Sequence, residues 1–571
     1  MSVVVARVAT ARRPAAQRQA QTATAQVRLM MLMLMIAAGV LLIILRLAWL
    51  AVFASPATSL DGAAALVPLR ADIVDRNGAP LARTIDAWSI GIHPRQAIND
   101  RNELAQKLAQ LMPEHDVSWY AAVLRSGQNF VYLQRRAMPD LVAKVNALGE
   151  PAIAYAREPE RLYPQSSLAA HALGFVDLDG HGNSGMERAL DDQLINPALR
   201  GKPVALSIDS RVQAAMESEL GAAMASFHAH GAAGVVLDAQ TGEVVAMASL
   251  PLFNPNHIQG SSEDQLRNNV TQSIYELGST FKPITMAAAI DDGVVTSMAR
   301  RFDATQPLEM GRFKIHDDHA QKRFLDIPEA LIHSSNIVTA RIADELGAER
   351  MQAMFKKLGF DTRPDIELHE RQKPRWPQFW ARVTVMTSGY GHGIAVTPLH
   401  LASAYAALVN GGVWRPATLL KVAPGHAAEG RRVISEATSA RMRQLLRLVV
   451  LQGTGRKGEA PGYRVGGKTG TAEIAMKSGY SRNRNVSTFA AAFPMDSPRY
   501  VVIAMLDSPV GNAQSGGQTT AAWTVAPVVS RVIMRTAPML GVMPDTNRDI
   551  DVSELLPLLW HAPGEDQAVP E

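Results

Sequence analysis

The sequence predicts an α+β fold in which one apolar N-terminal helix precedes two folded modules. Three observations support this prediction. The chain has 571 residues, of which 47% are apolar, and this is more than one ordinary hydrophobic core accommodates. A long apolar run follows a basic N-terminus. Strand-like segments stand at both ends of the second module with helical segments between them, so we expect a central antiparallel sheet flanked by helices.

The composition excludes several classes of function. The chain contains no cysteine, which rules out thiol nucleophiles, disulfides, thiolate zinc sites and lipid-modified N-terminal cysteines. Covalent catalysis must therefore use another nucleophile. The formal net charge is only +4, and part of the basic excess lies in the N-terminal tail, so nucleic acid is not an expected partner.

The first sixty residues predict a single membrane anchor. No acidic residue precedes Asp61, whereas five arginines precede the apolar run that starts at Leu29. Residues 29–54 exceed the ~20 residues that span a bilayer core. A cleaved signal peptide is the alternative, but its apolar region is only about 7–15 residues and no clean A-x-A site follows. The positive-inside rule keeps the basic tail of residues 1–28 in the cytoplasm and sends the rest of the chain across the membrane.

Two modules and a tail are expected after the anchor. The first, residues 60–225, begins with a short stalk and a strand that enters a tight turn at Asn77-Gly78. The second covers residues 230–540, and residues 541–571 are acidic and predicted to form a solvated tail. The strands of the second module are predicted at 234–238, 243–248, 463–475, 487–493 and 500–506, with helices between 283 and 408 and again at 519–534.

The pattern S-x-x-K occurs once, at Ser279 and Lys282 within ELGSTFKPIT. Gly278 permits a sharp entry, and the apolar run 284–290 predicts a buried helix. Residues three apart share a helix face, so the Lys282 amine is expected beside the Ser279 hydroxyl, where a neutral lysine activates the nucleophile. The free lysine pKa of ~10.4 must then be lowered by burial, a second cation or a helix N-terminus. A surface serine and lysine at a helix start is the ordinary alternative.

The second pattern is S-x-N at Ser334-Ser335-Asn336, in a turn that leads into another predicted helix. As an ordinary helix cap, this tripeptide would satisfy backbone N–H groups and do nothing else. The same pattern recurs at 481–483, in a segment expected to be a polar loop. That second copy follows the third pattern along the chain, and the order therefore favours the first copy.

The third pattern is K-T-G at Lys468-Thr469-Gly470, followed by Thr471 and preceded by two glycines at 466–467. Glycine weakens a strand unless something must approach it closely. A glycine-rich edge strand allows an extended peptide to lie alongside, with Lys468 and the threonine hydroxyls available to a carboxylate. A β-turn is the ordinary alternative. The three patterns in this order form the set found in penicillin-binding proteins and class A β-lactamases.

The chain resembles the class B penicillin-binding proteins over residues 70–531. The tripeptide SSN and the run GYRVGGKTGTA resemble the division-specific branch, of the penicillin-binding protein 3 type, and the elongation branch is the alternative. The resemblance implies an elongated pedestal of the dimerisation-domain type at 60–225 and a transpeptidase domain at 230–540. Further positions match the stalk, pedestal and domain-joining motifs of the family: Asp75, Arg76, Asn77, Gly78, Arg157, Glu158, Arg161, Tyr163, Pro164, Gly185, Glu187, Ser207, Asp209 and Gln213.

Three departures from the family pattern leave pedestal details open. Ala71-Asp72 replaces a glycine-led stalk start, and Leu277 replaces the usual proline before Gly278. The stretch 194–206 is short. None of these changes alters a residue that the resemblance implies to be catalytic.

The resemblance implies a role for each catalytic residue. Ser279 would attack the carbonyl between the two terminal D-alanines of a peptidoglycan stem peptide, and Lys282 would take its proton. Ser334 would relay a proton to the departing amine. Asn336 would orient Lys282 and the peptide amide, and Lys468 would supply positive potential. An amine from a neighbouring stem would then resolve the acyl-enzyme, and neither a cofactor nor a metal is required.

The substrate would bind along the K-T-G strand. The resemblance implies that Thr469, Gly470 and Thr471 bind the terminal carboxylate of the stem peptide. The backbone N–H groups of Ser279 and Thr471 would form the oxyanion hole, where one donor is worth ~10²–10³ in rate. β-Lactam antibiotics mimic the terminal dipeptide and would trap Ser279.

The partners implied are stem peptides as donor and acceptor, β-lactams and the lipid bilayer. The pedestal shows no glycosyltransferase signature, so a membrane glycosyltransferase and other division proteins are expected to act with the chain. The expected location is the cytoplasmic (inner) membrane, with the catalytic domain in the periplasm or otherwise outside the cytoplasm, at the division septum. A β-lactamase, a penicillin sensor and a catalytically silent scaffold are the alternatives.

One further cluster, His316-Asp317-Asp318-His319, contains metal-ligand residue types. These four residues are contiguous and lie in a polar segment, which is unlike the spacing of a metal site. The sequence therefore favours a solvated loop near the cleft.

Overall fold

The computed structural model describes residues 15–53, 69–199, 201–311, 313–476 and 479–560. The chain divides into two compact units, Met1–Leu66 and Val67–Glu571. In the first unit, one helix, α1, spans Ala15–Phe53. Its segment Gln26–Leu45 is long and apolar enough to cross a membrane. Residues 1–14 of the predicted cytoplasmic tail and the last residue of the predicted anchor lie outside the described residues.

The second unit begins with a small sheet that forms the pedestal. Its central strand pairs antiparallel with three others, while the first and last strands of the sheet pair in parallel. A core of residues between Ile90 and Ile153 lies between this sheet and the first helices. The bounds are β1 Ile73–Val74, β2 Pro80–Ile92, α2 Arg101–Leu111, α3 Val117–Arg125, β3 Val131–Ala137, α4 Pro139–Asn146, β4 Ile153–Leu162, α5 Ala170–Leu173, α6 Gly185–Ala189, α7 Asp191–Leu194 and β5 Val204–Ala205.

A cluster of buried charged side chains around Glu187 connects distant segments of the pedestal. Glu187 is fully buried, and its two carboxylate oxygens accept hydrogen bonds from Arg70 Nε at 2.9 Å and from Arg161 Nε at 2.7 Å. Arg70 also donates to Asp191 at 2.5 Å and to the carbonyl of Gly180 at 3.0 Å. Arg161 and Glu187, which match the family's pedestal motifs, therefore belong to a buried cluster of positively and negatively charged side chains.

The second module, which the sequence predicts to be the catalytic domain, contains the predicted antiparallel sheet flanked by helices, and this confirms the α+β fold. Its five strands lie in the order β14-β15-β16-β6-β7, so both ends of the domain sequence meet in one sheet. The bounds are α8 Ser210–Ser226, β6 Gly231–Asp238, β7 Val244–Leu250, α9 Glu263–Leu266, α10 Lys282–Asp291, β8 Phe302–Asp303, β9 Leu308–Met310, β10 Phe313–Ile315, β11 Phe324–Leu325, α11 Ile327–Ile332, α12 Asn336–Lys357, α13 Arg382–Gly389, α14 Pro398–Val409, β12 Val413–Trp414, β13 Arg431–Arg432, α15 Glu436–Gln452, β14 Gly466–Met476, β15 Gly479–Phe493, β16 Tyr500–Asp507, α16 Ala521–Thr524 and α17 Ala526–Thr536.

Each face of this sheet is covered by its own helices. Successive side chains of a strand point to opposite faces, and Val235 and Val236 of β6 accordingly enter two different cores. Helices α8 and α17 cover the face of Val236. Helices α10, α12 and α14 cover the face of Val235, and this larger core continues without a break into the pedestal residues around Ile73 and Leu81.

The segment 541–560 was predicted to be part of a solvated tail, but it packs on the catalytic domain. Val552 and Leu555 are buried in the larger core. Asp549 accepts hydrogen bonds from Arg447 of α15 at 2.6 to 2.9 Å. The prediction failed here because the acidic residues of this segment alternate with apolar ones that reach the core. We call residues 541–560 the C-terminal strap, and residues 561–571 lie outside the described residues.

Candidate active site

Ser279 lies in a 3₁₀ turn, Gly278–Phe281, that leads directly into α10. Gly278 has a φ of +54°, and a Cβ there would lie 3.0 Å from the carbonyl oxygen of Thr471. Glycine adopts this left-handed conformation without strain. The sharp entry that the sequence predicts at Gly278 therefore allows the turn to pack directly on β14.

Lys282 is the first residue of α10, and its side chain is 0% exposed. Its Nζ donates to Ser334 Oγ at 3.0 Å and also to the carbonyl oxygen of Ser334. Burial lowers the pKa of Lys282 from 10.5 to about 7, although the Asp317 and Asp318 carboxylates oppose the shift. A substantial fraction of this lysine is thus neutral near pH ~7, as a general base requires.

Ser334 is fixed by the ends of two helices. Its N–H donates to Leu331 O at 3.2 Å, and the next N–H, of Ser335, donates to Ala330 O at 2.8 Å. These two bonds form the Schellman motif that ends α11, and they place Ser334 in the left-handed region with a φ of +58°. Glycine usually occupies this position. A serine here points to a requirement for its hydroxyl.

The rest of the S-x-N pattern begins α12. Ser335 Oγ caps the helix by accepting from Val338 N at 3.1 Å, and it donates to Asp317 Oδ2 at 2.8 Å. The other oxygen of Asp317 accepts from Ile337 N at 2.9 Å. Asn336 Nδ2 donates to the carbonyl of His316 at 2.9 Å. The segment around Asp317 is therefore anchored to this pattern, and the prediction that the whole cluster is solvated is wrong for Asp317, which is buried.

Lys468 approaches the same serine from the sheet. Its Nζ is fully buried on β14 and donates to Ser334 Oγ at 3.0 Å and to Thr469 O at 3.0 Å. Burial, and then the positive charge of Lys282, lower the pKa of Lys468 well below its usual value, against the opposing effect of Asp318. Thr469 Oγ1 donates to Thr454 Oγ1 at 2.8 Å. Two lysines thus share one hydroxyl.

The K-T-G strand lies at the edge of the sheet, because β14 pairs only with β15 among the described strands. Gly470 faces the 3₁₀ turn so closely that a Cβ would lie 2.4 Å from Leu277 O. Thr471 Oγ1 accepts from Ala521 N at 3.1 Å, which leaves its own hydrogen free to donate. The free edge next to Ser279 can receive an extended chain, as the sequence predicts.

Ser334 Oγ links the site, because it donates to Ser279 Oγ at 3.0 Å and accepts from both lysines. Within the described ranges, no direct hydrogen bond joins Ser279 to Lys282, contrary to the expectation that their spacing alone brings them into contact. Asn336 lies at the start of α12 and bonds His316, with no hydrogen bond to Lys282 in the described part of the chain. The second S-x-N copy at 481–483 lies on β15 and not in a loop.

The sequence alone does not identify two side chains that hold the site residues, Asp317 and Thr454. In the sequence, Asp317 stands out only as part of a cluster of histidines and aspartates, and Thr454 belongs to no motif. Asp317 contacts Ser335 and Ile337, and Thr454 contacts Thr469. These partners are distant in sequence, and neither residue is part of a recognisable local pattern. A buried aspartate among polar neighbours cannot be distinguished from a solvated one before its hydrogen-bond donors are known.

The comparisons with known proteins agree with this geometry. A family model described as the penicillin binding protein transpeptidase domain matches residues 232–530. A model described as the penicillin-binding protein dimerisation domain matches residues 65–201. The residues 202–231 between them contain α8, which packs on the catalytic sheet.

Relatives resemble the chain over most of its length. It is 41% identical over 505 residues to the probable peptidoglycan D,D-transpeptidase FtsI of Caulobacter vibrioides, covering 86% of this chain and 85% of that one. It is 31% identical over 516 residues to the probable peptidoglycan D,D-transpeptidase PenA of Neisseria gonorrhoeae, covering 84% and 86%. Among solved structures, penicillin binding protein 3 of Mycobacterium tuberculosis in complex with aztreonam matches with a TM-score of 0.66 and 28% identity, over 85% of this chain and 99% of that one.

Proposed function

The chain belongs to the penicillin-binding protein transpeptidase family and is a peptidoglycan D,D-transpeptidase, and we propose that it cross-links stem peptides at the division septum through an ester on Ser279. One observation carries the assignment of the nucleophile. The Ser279 hydroxyl is joined through Ser334 to Lys282, a fully buried lysine whose pKa burial lowers to about 7.

In acylation, Ser279 Oγ attacks the carbonyl between the terminal D-alanines of the donor. Its proton passes to Ser334 Oγ while the Ser334 proton passes to neutral Lys282, along two contacts of 3.0 Å. The hydroxyl hydrogens must turn around for this step, which hydroxyl groups do freely. When the C–N bond breaks, the same path returns the proton to the departing D-alanine amine.

The donor peptide lies along β14. Lys468 provides positive potential beside Ser334. Thr471 donates its free hydroxyl hydrogen to the terminal carboxylate, and Thr469 donates its own after the hydroxyl turns from Thr454. The backbone N–H groups of Ser279 and Thr471 bind the oxyanion. Gly470 keeps the strand close to the 3₁₀ turn, since any side chain there would collide with Leu277 O. We place Asn336 at the cleft, where it orients the donor amide.

β-Lactams are proposed to acylate the same serine. The solved relative with a TM-score of 0.66 carries aztreonam in its complex. Mass spectrometry of the full chain in detergent, after treatment with benzylpenicillin, should locate the adduct on Ser279. Ser279→Ala should lose the adduct and keep its fold, whereas Ser273→Ala, six residues earlier, should acylate like the wild type. An adduct on any other residue would overturn the assignment.

We propose that α1 is an uncleaved single-pass anchor with the basic tail in the cytoplasm. Support comes from the apolar segment Gln26–Leu45 and from the excess of arginine before it. The pedestal at 60–225 and the catalytic domain at 230–540 would then lie outside the cytoplasm. Protease added to spheroplasts should digest the K-T-G region, and protection of that region would contradict this topology.

We also propose that the protein acts at the division septum. This proposal rests on the SSN tripeptide, on the run GYRVGGKTGTA and on the FtsI relatives. A membrane glycosyltransferase and other division proteins would act as partners. A fluorescent fusion should gather at midcell, and depletion should give filaments or branched, undivided cells. Rounded cells that continue to septate would instead support the elongation branch and leave the transpeptidase assignment intact.

A further inference from the structure

His316 and Asp317 are hydrogen-bonded to the residues that follow Ser334 in the S-x-N pattern. The carbonyl of His316 accepts from Asn336, and the two oxygens of Asp317 accept from Ser335 Oγ and Ile337 N, at 2.8 to 2.9 Å. Three hydrogen bonds therefore hold this segment against the residues that follow Ser334. The position of the next residue, Asp318, relative to the site is consequently well defined.

The two neighbouring aspartates face in different directions. Asp317 is buried, whereas Asp318 is exposed to solvent. In the part of the chain that the structure describes, the Asp318 carboxylate has no hydrogen bond or ion pair, and it is not needed to hold the segment in place. An exposed, unpaired carboxylate beside a reaction centre is available to a ligand.

The electrostatic influence of Asp318 reaches several groups around the site. Burial lowers the pKa of Lys282 and Lys468, and the Asp318 carboxylate opposes both shifts. Burial also raises the pKa of Tyr390 to about 12, and Asp318 adds to that rise. For His392, burial lowers the pKa and Asp318 is among the groups that oppose it. Asp318 is exposed and directly follows two residues that are hydrogen-bonded to Ser335, Asn336 and Ile337, and this geometry points to a position at the rim of the cleft that contains the two lysines.

The second substrate of the reaction is an amine. Primary amines are largely protonated near neutral pH, because their pKa values lie at ~8 to ~10. An ammonium ion that approaches the Ser279 ester meets the positive potential proposed for Lys468, and like charges repel it. A negative group at the rim would offset this repulsion for the acceptor.

We propose that Asp318 is a specificity-determining residue that recruits the acceptor by binding its ammonium group at the rim of the cleft. This inference rests on the proposed function and adds a role for the second substrate. The ligand class is a primary amine that arrives as a cation.

The proton balance of the step is simple. The docked ammonium loses one proton to water by way of the exposed carboxylate, which leaves a neutral amine. The nitrogen lone pair forms the new C–N bond as the C–O bond to Ser279 breaks. The second proton of the nitrogen passes to Ser279 Oγ through Ser334 and Lys282, which restores the free enzyme.

The test measures how the acyl-enzyme partitions between acceptors. The full chain in detergent is acylated with an N-acyl-D-alanyl thioester in the presence of glycinamide, a cationic acceptor, and methanol, an uncharged one. Both products arise from the same acyl-enzyme, so their ratio is independent of the acylation rate. Asp318→Asn should lower the ratio of glycinamide to methanol product by about fivefold, the factor that a charge pair at ~4 Å contributes in water.

Two variants make the result specific. Asp318→Glu should keep most of the preference for glycinamide. Asp292→Asn removes the same charge just beyond the far end of α10, about 15 Å along the helix from Lys282, and should leave the ratio unchanged. In the wild type, ~1 M salt should lower the ratio toward that of Asp318→Asn, because it shortens the screening length to ~3 Å.

Different outcomes would contradict the role of Asp318 and the proposed function. An unchanged product ratio in Asp318→Asn would overturn the role of Asp318, and so would an equal fall in Asp292→Asn. A wild-type chain that forms no ester on Ser279 would instead overturn the proposed function.

Discussion

Ser334 uses its whole hydrogen-bonding capacity within the site. A hydroxyl has one hydrogen and two lone pairs, and Ser334 Oγ donates to Ser279 and accepts from Lys282 and Lys468. A group in this position can take a proton only as it gives one up. In the proposed mechanism, proton transfer between Ser279 and Lys282 is therefore an exchange through Ser334, and both lysines donate to this one hydroxyl.

The first prediction concerns the protonation of Lys282. Its pKa of about 7 means that the neutral fraction rises as pH increases through neutrality. Acylation by a fluorescent penicillin should therefore become about tenfold faster between about pH 6 and about pH 8. Lys282→Arg keeps the charge but cannot lose its proton, and acylation should fall ~10²–10⁴-fold with no such pH dependence. A folded Lys282→Arg variant that acylates like the wild type would exclude Lys282 as the base.

The second prediction separates the backbone of Ser334 from its hydroxyl. Ser334→Ala and Ser334→Gly both remove the hydroxyl, so both should lose acylation. Only glycine relieves the left-handed conformation at φ +58°, which costs roughly 1–2 kcal/mol for other residues. Ser334→Gly should therefore unfold at higher denaturant concentration than Ser334→Ala. Equal stability of the two variants would show that the left-handed turn is not maintained in solution.

At the scale of elements, the site depends on the contact between β14 and the 3₁₀ turn that carries Ser279. Gly278 and Gly470 allow this contact, since a Cβ on Gly278 would lie 3.0 Å from Thr471 O and one on Gly470 would lie 2.4 Å from Leu277 O. The two glycines come from patterns that are nearly two hundred residues apart. The two glycines allow Ser279, the proposed nucleophile, to lie close to the strand that is proposed to bind the donor.

The third prediction tests this contact. Gly470→Ala should push β14 away from the turn and slow acylation by about 10²-fold, because a displacement of ~1 Å at a reaction centre has that effect. Gly221→Ala in α8 is the control, since its Cβ would meet only Leu250 Cδ2 at an ordinary 3.6 Å. The control should acylate normally and gain helix stability. Equal acylation rates in the two variants would contradict the proposed contact.

The sequence was sufficient for features that depend on local patterns. The strands at 234–238 and 500–506, the turn at Gly278 and the helix after Lys282 follow from periodicity and from single residues. The hydrogen bonds that Ser334 makes with Ser279, Lys282 and Lys468 could not be predicted, because they require the end of α11, the start of α12 and β14 to come together. The burial of Asp317 and the packing of the C-terminal strap depend in the same way on partners that only the fold brings near.

At the scale of the whole molecule, the pedestal and the catalytic domain share a hydrophobic core. Ile73 and Leu81 of the pedestal belong to the same cluster as Val235 of the catalytic sheet. The buried ions at Glu187 lie on the pedestal side of this core. A change in that cluster is expected to affect the stability of both parts.

The fourth prediction concerns Glu187. Glu187→Gln keeps the shape of the side chain but removes the charge that Arg70 and Arg161 share, at 2.9 and 2.7 Å. Loss of one partner of a buried ion pair typically costs about 3–5 kcal/mol. The full chain should therefore lose penicillin acylation at a lower temperature. Glu103→Gln removes an exposed pair with Lys107, which is worth at most ~0.5 kcal/mol, and equal inactivation temperatures for the two variants would refute the structural role of Glu187.

The C-terminal strap has a consequence for biosynthesis. A chain is synthesised from its N-terminus. Strand β6 can pair with β16 only after β16 has been synthesised, and the larger core is complete only when Val552 and Leu555 are present. In the proposed topology, the serine, both lysines and the K-T-G strand would reach the far side of the membrane before Val552 and Leu555, which complete the larger core. In that topology the larger core would be complete only after translation and translocation are nearly finished, so a stalled or shortened nascent chain would expose the motifs without the segment that completes the core.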